Sequence, residues 1–184
     1  MKKGLLSIAA VLTVSVLTLS ATMFPASAAK GIKINKSNFP DKIFREYVSS
    51  SFDKNKDGLL SEKETAAAVT ISVEVKNISS LKGIEYFTEL KRLSCYSNKL
   101  TEIDVSKNTK LTELNCSFNE IESLDVSKNT KLEILSCAFN HIKSIDVSKH
   151  TRLTELHCGA NELTSIDVSK NTRLKELSCH KNPI

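Results

Sequence analysis

The chain has 184 residues, 26% of them charged and 5% aromatic, with no tryptophan and a formal charge of +5. This mild positive balance is spread along the chain, unlike the one-sided Lys and Arg faces of nucleic-acid binders. So few aromatics leave no evident stacking platform for bases or sugars, and 5 glycines with 3 prolines are too few for a long disordered linker.

Lys2 and Lys3 precede an apolar run from Leu5 to Leu19, and Ala26-Ser27-Ala28 supplies the small-x-small pattern that signal peptidase accepts. Residues 1–28 therefore read as a signal peptide. The apolar run is short for a bilayer span, and a retained anchor is the other reading. Cleavage leaves 156 residues (184 − 28) and a charge of +3, because Lys2 and Lys3 are the only charged residues lost. That length suits one domain with a small appendage. Its expected destination is secreted or cell-surface.

Helical periodicity begins near Pro40, which suits a first helical turn. Ile43, Phe44, Tyr47, Val48 and Phe52 then fall on one helical face. The stretch Asp53-Lys54-Asn55-Lys56-Asp57-Gly58-Leu59-Leu60-Ser61-Glu62-Lys63-Glu64 follows, and it fits D-x-[DN]-x-[DN]-G-x5-E at every defined position. That is the spacing of an EF-hand calcium loop. Asp53, Asn55 and Asp57 offer alternate oxygens, and Gly58 allows the sharp turn that brings the Leu59 carbonyl to a Ca²⁺ ion. Ser61 contributes through a water, and Glu64 closes the shell with both oxygens. Three carboxylates so close together are costly unless a cation neutralises them. Ser61-x-x-Glu64 also has the form of a capping box opening a second helix, with Ala66, Ala67, Ala68 and Val69 following. Glu64 cannot serve both roles fully, and the metal role is expected to take precedence. A solvated turn that holds nothing is the alternative.

From residue 71 the chain is repetitive. Cys95, Cys116, Cys137, Cys158 and Cys179 recur every 21 residues, and Asn98, Asn119, Asn140, Asn161 and Asn182 keep the same step. One unit reads L-x-x-L-x-C-x-x-N-x-[LI]-x-x-[LI]-D-V-S-K-[NH]-T-[KR], in four complete copies from Leu90 and a partial fifth. Leu114-Asn115-Cys116 alternates in-out-in, as a short strand requires. Asn119 and its equivalents turn the chain off the strand, where their amides can satisfy backbone groups and stack as a ladder. The return leg carries Leu124 and Val126 inward, extended or as a short 3₁₀ turn. Ser127-Lys128-Asn129-Thr130 then makes a polar turn. No unit buries enough alone, so the units stack and their strands line up as one parallel sheet. Before them, Ile71 to Val75 alternates like a strand in a variant unit of 22 residues, with Lys76 where Asn is expected. The chain stops at Asn182-Pro183-Ile184 inside the fifth unit. An end without its return leg is expected to fray or self-associate.

The unit resembles the leucine-rich repeat, L-x-x-L-x-L-x-x-N-x-L, with Cys in place of the third Leu. The stretch Ile78 to Phe87 looks like the opening repeats of internalin-type surface proteins of Gram-positive bacteria. The order of helix, D-x-N-x-D-G loop, short helix and repeats resembles the N-terminal regions of clostridial-type secreted repeat proteins. These resemblances imply a β-rich α/β solenoid, a leucine-rich-repeat parallel-sheet superhelix over residues 71–184. Residues 29–70 would then form a small helical EF-hand cap over its first strand.

Every cysteine occupies an inward position, and strands about 4.8 Å apart with parallel side chains suit disulfide torsions poorly. The cysteines read as small buried hydrophobes or, alternatively, as a metal-binding stack. Outward strand positions line the concave face, where solenoids usually bind. They include Arg92, Tyr96, Glu113, Asn115, Ile134, Glu155, His157, Glu176 and His180, a face poor in aromatics apart from Tyr96. His157 and His180, with Glu155 and Glu176 nearby, read as a weak metal site, a pH-sensitive contact, or plain solvated residues. His141 and His150 fall in variable turns and are expected to be solvated. No nucleophile with a base partner and no phosphate-cradling glycine loop appears, so no enzyme is expected. The expected function is a binding module for a protein or cell-envelope ligand, not a nucleic acid. The rival is a structural spacer within a longer surface protein.

Overall fold

In the computed structural model, which describes residues 31–184, the repeat becomes a six-stranded parallel sheet. The signal-peptide segment lies outside the described residues. A short strand β1 (Ile32–Lys33) is followed by helix α1 (Lys42–Phe52), strand β2 (Leu59–Leu60) and helix α2 (Glu62–Ala67). Then come β3 (Thr70–Ser72), a 3₁₀ turn (Ile84–Tyr86), β4 (Arg92–Ser94), β5 (Glu113–Asn115), β6 (Ile134–Ser136), β7 (Glu155–His157) and β8 (Glu176–Ser178). Strands β3 to β8 pair in sequence order. Thr70 stands beside Arg92, a step of 22, and Arg92 beside Glu113, a step of 21. Among the described residues no helix is long and apolar enough to cross a membrane.

The central residue of each strand from Ile71 to Leu156 points inward and is buried, as are Cys95, Cys116, Cys137 and Cys158. Leu124 and Val126 are buried on the return leg, which carries no α-helix in any repeat. Toward the last repeat burial weakens: Leu177 is 41% exposed and Cys179 half-buried. All five cysteines are free. Burial pushes the Cys95 thiol up to about 12 and the Cys158 thiol to about 11, and holds those of Cys116 and Cys137 well above their usual value. Protonated thiols make poor nucleophiles and poor metal ligands.

The expected asparagine ladder is present. Asn119 donates to the carbonyls of Cys95 and Cys116 (3.1 Å each), and its Oδ1 accepts the Leu100 N–H at 3.0 Å. Each amide so closes its own turn and ties it to the preceding repeat. A second ladder corrects the sequence reading. Asn129, expected in a polar turn, is fully buried and donates to the carbonyls of Val105 and Asn108 at 2.9 Å. Asn108 and Asn171 do the same in their repeats. His150 occupies the equivalent position. It is not solvated but fully buried, with Nε2 3.0 Å from the Val126 carbonyl, so Nε2 carries the proton. Solvent-like sequence context conceals these residues, because each amide exists to satisfy carbonyls that a helix-free return leg leaves open.

Helix α1 starts at Lys42, with Asp41 as its N-cap accepting the Phe44 N–H at 2.9 Å, so Pro40 precedes the helix instead of occupying its first turn. Phe44 and Val48 are buried, whereas Ile43 is 39% exposed, contrary to its expected place on the inner face. Helix α2 ends at Ala67, which leaves Val69 exposed. Phe39, Phe44, Val48 and Leu60 share one core with the repeats. The Phe52 ring lies 5.1 Å from that of Phe87, and Asp41 Oδ2 accepts both the N–H and hydroxyl of Ser79. Gly83, at φ +105°, lies so close to Phe39 that a Cβ would stand 2.2 Å from its ring.

Candidate functional site

The loop between α1 and β2 is organised by its own side chains. Asp53, only 6% exposed, accepts the N–H of Asp57 on Oδ1 (3.1 Å) and that of Gly58 on Oδ2 (3.0 Å). Asp57 Oδ1 accepts the Leu59 N–H at 2.8 Å, and Gly58 has φ +78°, the left-handed turn its position demands. A short antiparallel pairing, Ile32 with Leu60 and Lys33 with Leu59, holds the exit of the loop, and the Ile34 N–H reaches the Gly58 carbonyl at 3.0 Å. The sequence reading missed this strand, whose only signal is the alternation Ile32-Lys33-Ile34.

Glu64 makes the capping-box contacts that its position also offered. Its Oε2 accepts the hydroxyl (2.7 Å) and N–H (2.9 Å) of Ser61, and its Oε1 accepts the Lys54 N–H at 2.8 Å. The capping box is complete. Bonds from the Ser61 hydroxyl and amide, then from Lys54, hold the Glu64 carboxyl below its usual range. The loop offers carboxylate, amide, hydroxyl and carbonyl oxygens, the hard donors that suit Ca²⁺. Elsewhere, among the described residues, ligand atoms of Glu155, His157 and Glu176 lie within 4.8 Å of one another.

On the concave sheet, Arg92, Tyr96, Glu113, Asn115, Ile134, Glu155, His157, Glu176 and His180 are all exposed or half-buried, while Ser117 is buried. His180 hydrogen-bonds Ser178 Oγ at 3.0 Å. The sequence reading overlooked the aromatic content at one edge of this face. The residue before each ladder asparagine adopts positive φ: Ser97, Phe118, Phe139, Ala160 and Lys181 lie between +51° and +58°. Val75 joins them at +54° and is 69% exposed, so the alternation stops short of it. Two successive positions hold phenylalanine. Phe118 is 42% and Phe139 39% exposed, and their rings stack at 4.2 Å with planes 16° apart. Tyr96 packs against Phe118 at 5.1 Å, and Lys181 Nζ lies 5.9 Å above the Phe139 ring. An exposed stacking platform exists after all. Composition concealed it because a 21-residue period brings Phe118 and Phe139 together while the chain-wide aromatic content stays low.

The family model "Leucine Rich repeats (2 copies)" matches residues 88–129 and 109–150. Internalin J of Listeria monocytogenes serotype 4b (strain F2365) is 42% identical over 71 residues, which are 39% of this chain and 8% of that protein. The solved functional domain of InlJ from Listeria monocytogenes, described as including a cysteine ladder, matches with a TM-score of 0.78 and 38% identity. That match covers 85% of this chain and 35% of the other. A leucine-rich-repeat protein of Leptospira interrogans shares the fold at TM-score 0.59 and 24% identity, over 67% of this chain and 34% of that one. The chain thus spans about a third or less of each relative. In sequence and in shape the chain is similar to the internalin J repeats, and it folds as a leucine-rich-repeat solenoid with a file of cysteines along its core.

Proposed function

We propose that the chain is an exported binding module whose partner, a protein or cell-envelope component, seats on the ridge of Tyr96, Phe118 and Phe139 and the adjoining concave sheet. The observation that carries this reading is the exposed Phe118–Phe139 stack held in a left-handed backbone. The left-handed turn recurs in each repeat, and two successive repeats fill it with a ring where others carry Ser97, Ala160 and Lys181. Aromatic anchors dominate binding energy at interfaces. Labelled protein should bind saturably to host cells or to bacterial cell walls, and Phe118→Ser with Phe139→Ser should weaken that binding at least tenfold. Indistinguishable binding by wild type and variant would leave the spacer as the better reading.

Asp53, Asn55, Asp57, the Leu59 carbonyl, Ser61 and Glu64 would hold one Ca²⁺ in an EF-hand loop, making residues 29–70 a calcium-stabilised cap. The Asp53 bonds to two loop amides and the left-handed Gly58 support this reading. Glu64 would exchange its Ser61 and Lys54 bonds for the ion. The β1–β2 pairing holds the Leu59–Leu60 end of the loop in place. An extracellular loop binds with dissociation constants of roughly 10⁻⁴–10⁻³ M. Calcium at ten times that constant adds about 1.4 kcal/mol of stability. Thermal melts of wild type and Glu64→Gln, with and without Ca²⁺, test this, and equal responses in both would reject the assignment.

A further inference from the structure

Strands β7 and β8 bring together three potential ligands that lie outside both the ridge and the calcium loop. Glu155 and His157 alternate on the outward face of β7, and Glu176 stands directly beside Glu155 on β8. Like charges in register on neighbouring strands repel. Some acids elsewhere have basic partners, as Glu133 has Arg152 at 3.1 Å and Glu89 has Lys110. Among the described residues neither Glu155 nor Glu176 has a Lys or Arg nitrogen within 4.0 Å; each faces His157 alone. The Nε2 atom of His157 lies 3.6 Å from Glu155 Oε2, and Nδ1 lies 3.8 Å from Glu176 Oε1, both too long for hydrogen bonds. The imidazole is partly sheltered, its side chain 28% exposed, and a neutral ring could donate to only one of the two carboxylates.

We infer that Glu155, His157 and Glu176 form a binding site for one divalent transition-metal ion, Zn²⁺ foremost, on the concave sheet. One ligand atom from each residue already lies within 4.8 Å of the others. Tetrahedral Zn²⁺ with bonds of about 2.0–2.2 Å needs its ligands roughly 3.3 Å apart, a closure within reach of small side-chain rotations on fixed strands. Two negative charges neutralise the ion and remove the repulsion across the strands. The imidazole selects zinc over calcium, which takes oxygen ligands. Three protein ligands leave a coordination position open on the concave side, where a carboxylate or phosphate of a partner could complete the shell. The site does not depend on the ridge.

Titration calorimetry with Zn²⁺ tests this, run in saturating Ca²⁺ to block the acidic loop and on a Cys179→Ser background to remove the half-buried thiol. The expected result is one Zn²⁺ per chain, with affinity at least tenfold weaker in His157→Gln and in Glu176→Gln. Glu176 is well exposed, so its variant keeps the fold and remains informative should His157→Gln unfold. His141→Gln, which removes the His141–Glu162 pair elsewhere on the surface, should bind as the background protein does. Zinc binding unchanged in Glu176→Gln, lost in His141→Gln, or absent at millimolar Zn²⁺ would overturn the assignment.

Discussion

Asn140 donates to the Cys116 carbonyl at 3.0 Å and to the Cys137 carbonyl at 3.1 Å, while its Oδ1 accepts the Ile121 N–H. Alanine there orphans several buried backbone groups of two repeats, so Asn140→Ala should cost on the order of 1–3 kcal/mol or more. Cys137 beside it contributes volume only, and Cys137→Val should cost under about 1.5 kcal/mol. Denaturant titrations of the two variants check this order. The same burial protects the thiols. A thiol reagent should label at most Cys179 in the native protein and all five cysteines after unfolding, and rapid native labelling of more than one would contradict the core assignment. The first ladder was legible in the sequence because asparagine recurred beside an inward strand. The second was not. Asn129 and His150 keep the 21-residue step, but so do the Ser, Lys and Thr around them, and that shared period does not separate the one buried polar residue from its solvated neighbours.

At the scale of the element, the turn after each return leg has its own acid dependence. Asp104, Asp125, Asp146 and Asp167 each accept the N–H of the serine two residues on, at 2.8–2.9 Å. Bonds from those serines hold all four carboxyls below the usual aspartate range. A group whose folded pKa is depressed stabilises the fold fully above its unfolded value. It loses that contribution as pH falls through the folded value. Melting temperature should therefore fall below about pH 4, the ordinary carboxylate value. Replacing Asp125 and Asp146 by Ala should flatten that acid limb, and an unchanged limb would show that other carboxylates govern it. The helical unit follows different physics. Its two helices were legible from periodicity and the capping box, but not their ends. Val69 extends the pattern Ala66-Ala67-Ala68, yet the chain must leave α2 at Ala67 to deliver Thr70 into the sheet.

At the scale of the whole molecule, a 21-residue period fixes which residues meet across repeats. That made the parallel sheet and its register readable from sequence. The aromatic ridge needed the structure, because it depends on a backbone conformation that the period alone does not reveal: positive φ turns Phe118 and Phe139 outward. The central claim is that these rings serve binding and not folding. Glycine at both positions relieves left-handed strain of about 1–2 kcal/mol per residue. Against that gain, it forfeits a ring stack worth about 0.5–1.5 kcal/mol and adds unfolded-chain freedom. The most direct test measures unfolding free energy and cell-surface binding together for wild type and the Phe118→Gly, Phe139→Gly double variant. Stability within about 1 kcal/mol of wild type, with binding lost at least tenfold, is the expected result. A variant that loses several kcal/mol of stability, or that binds as wild type does, would contradict the account.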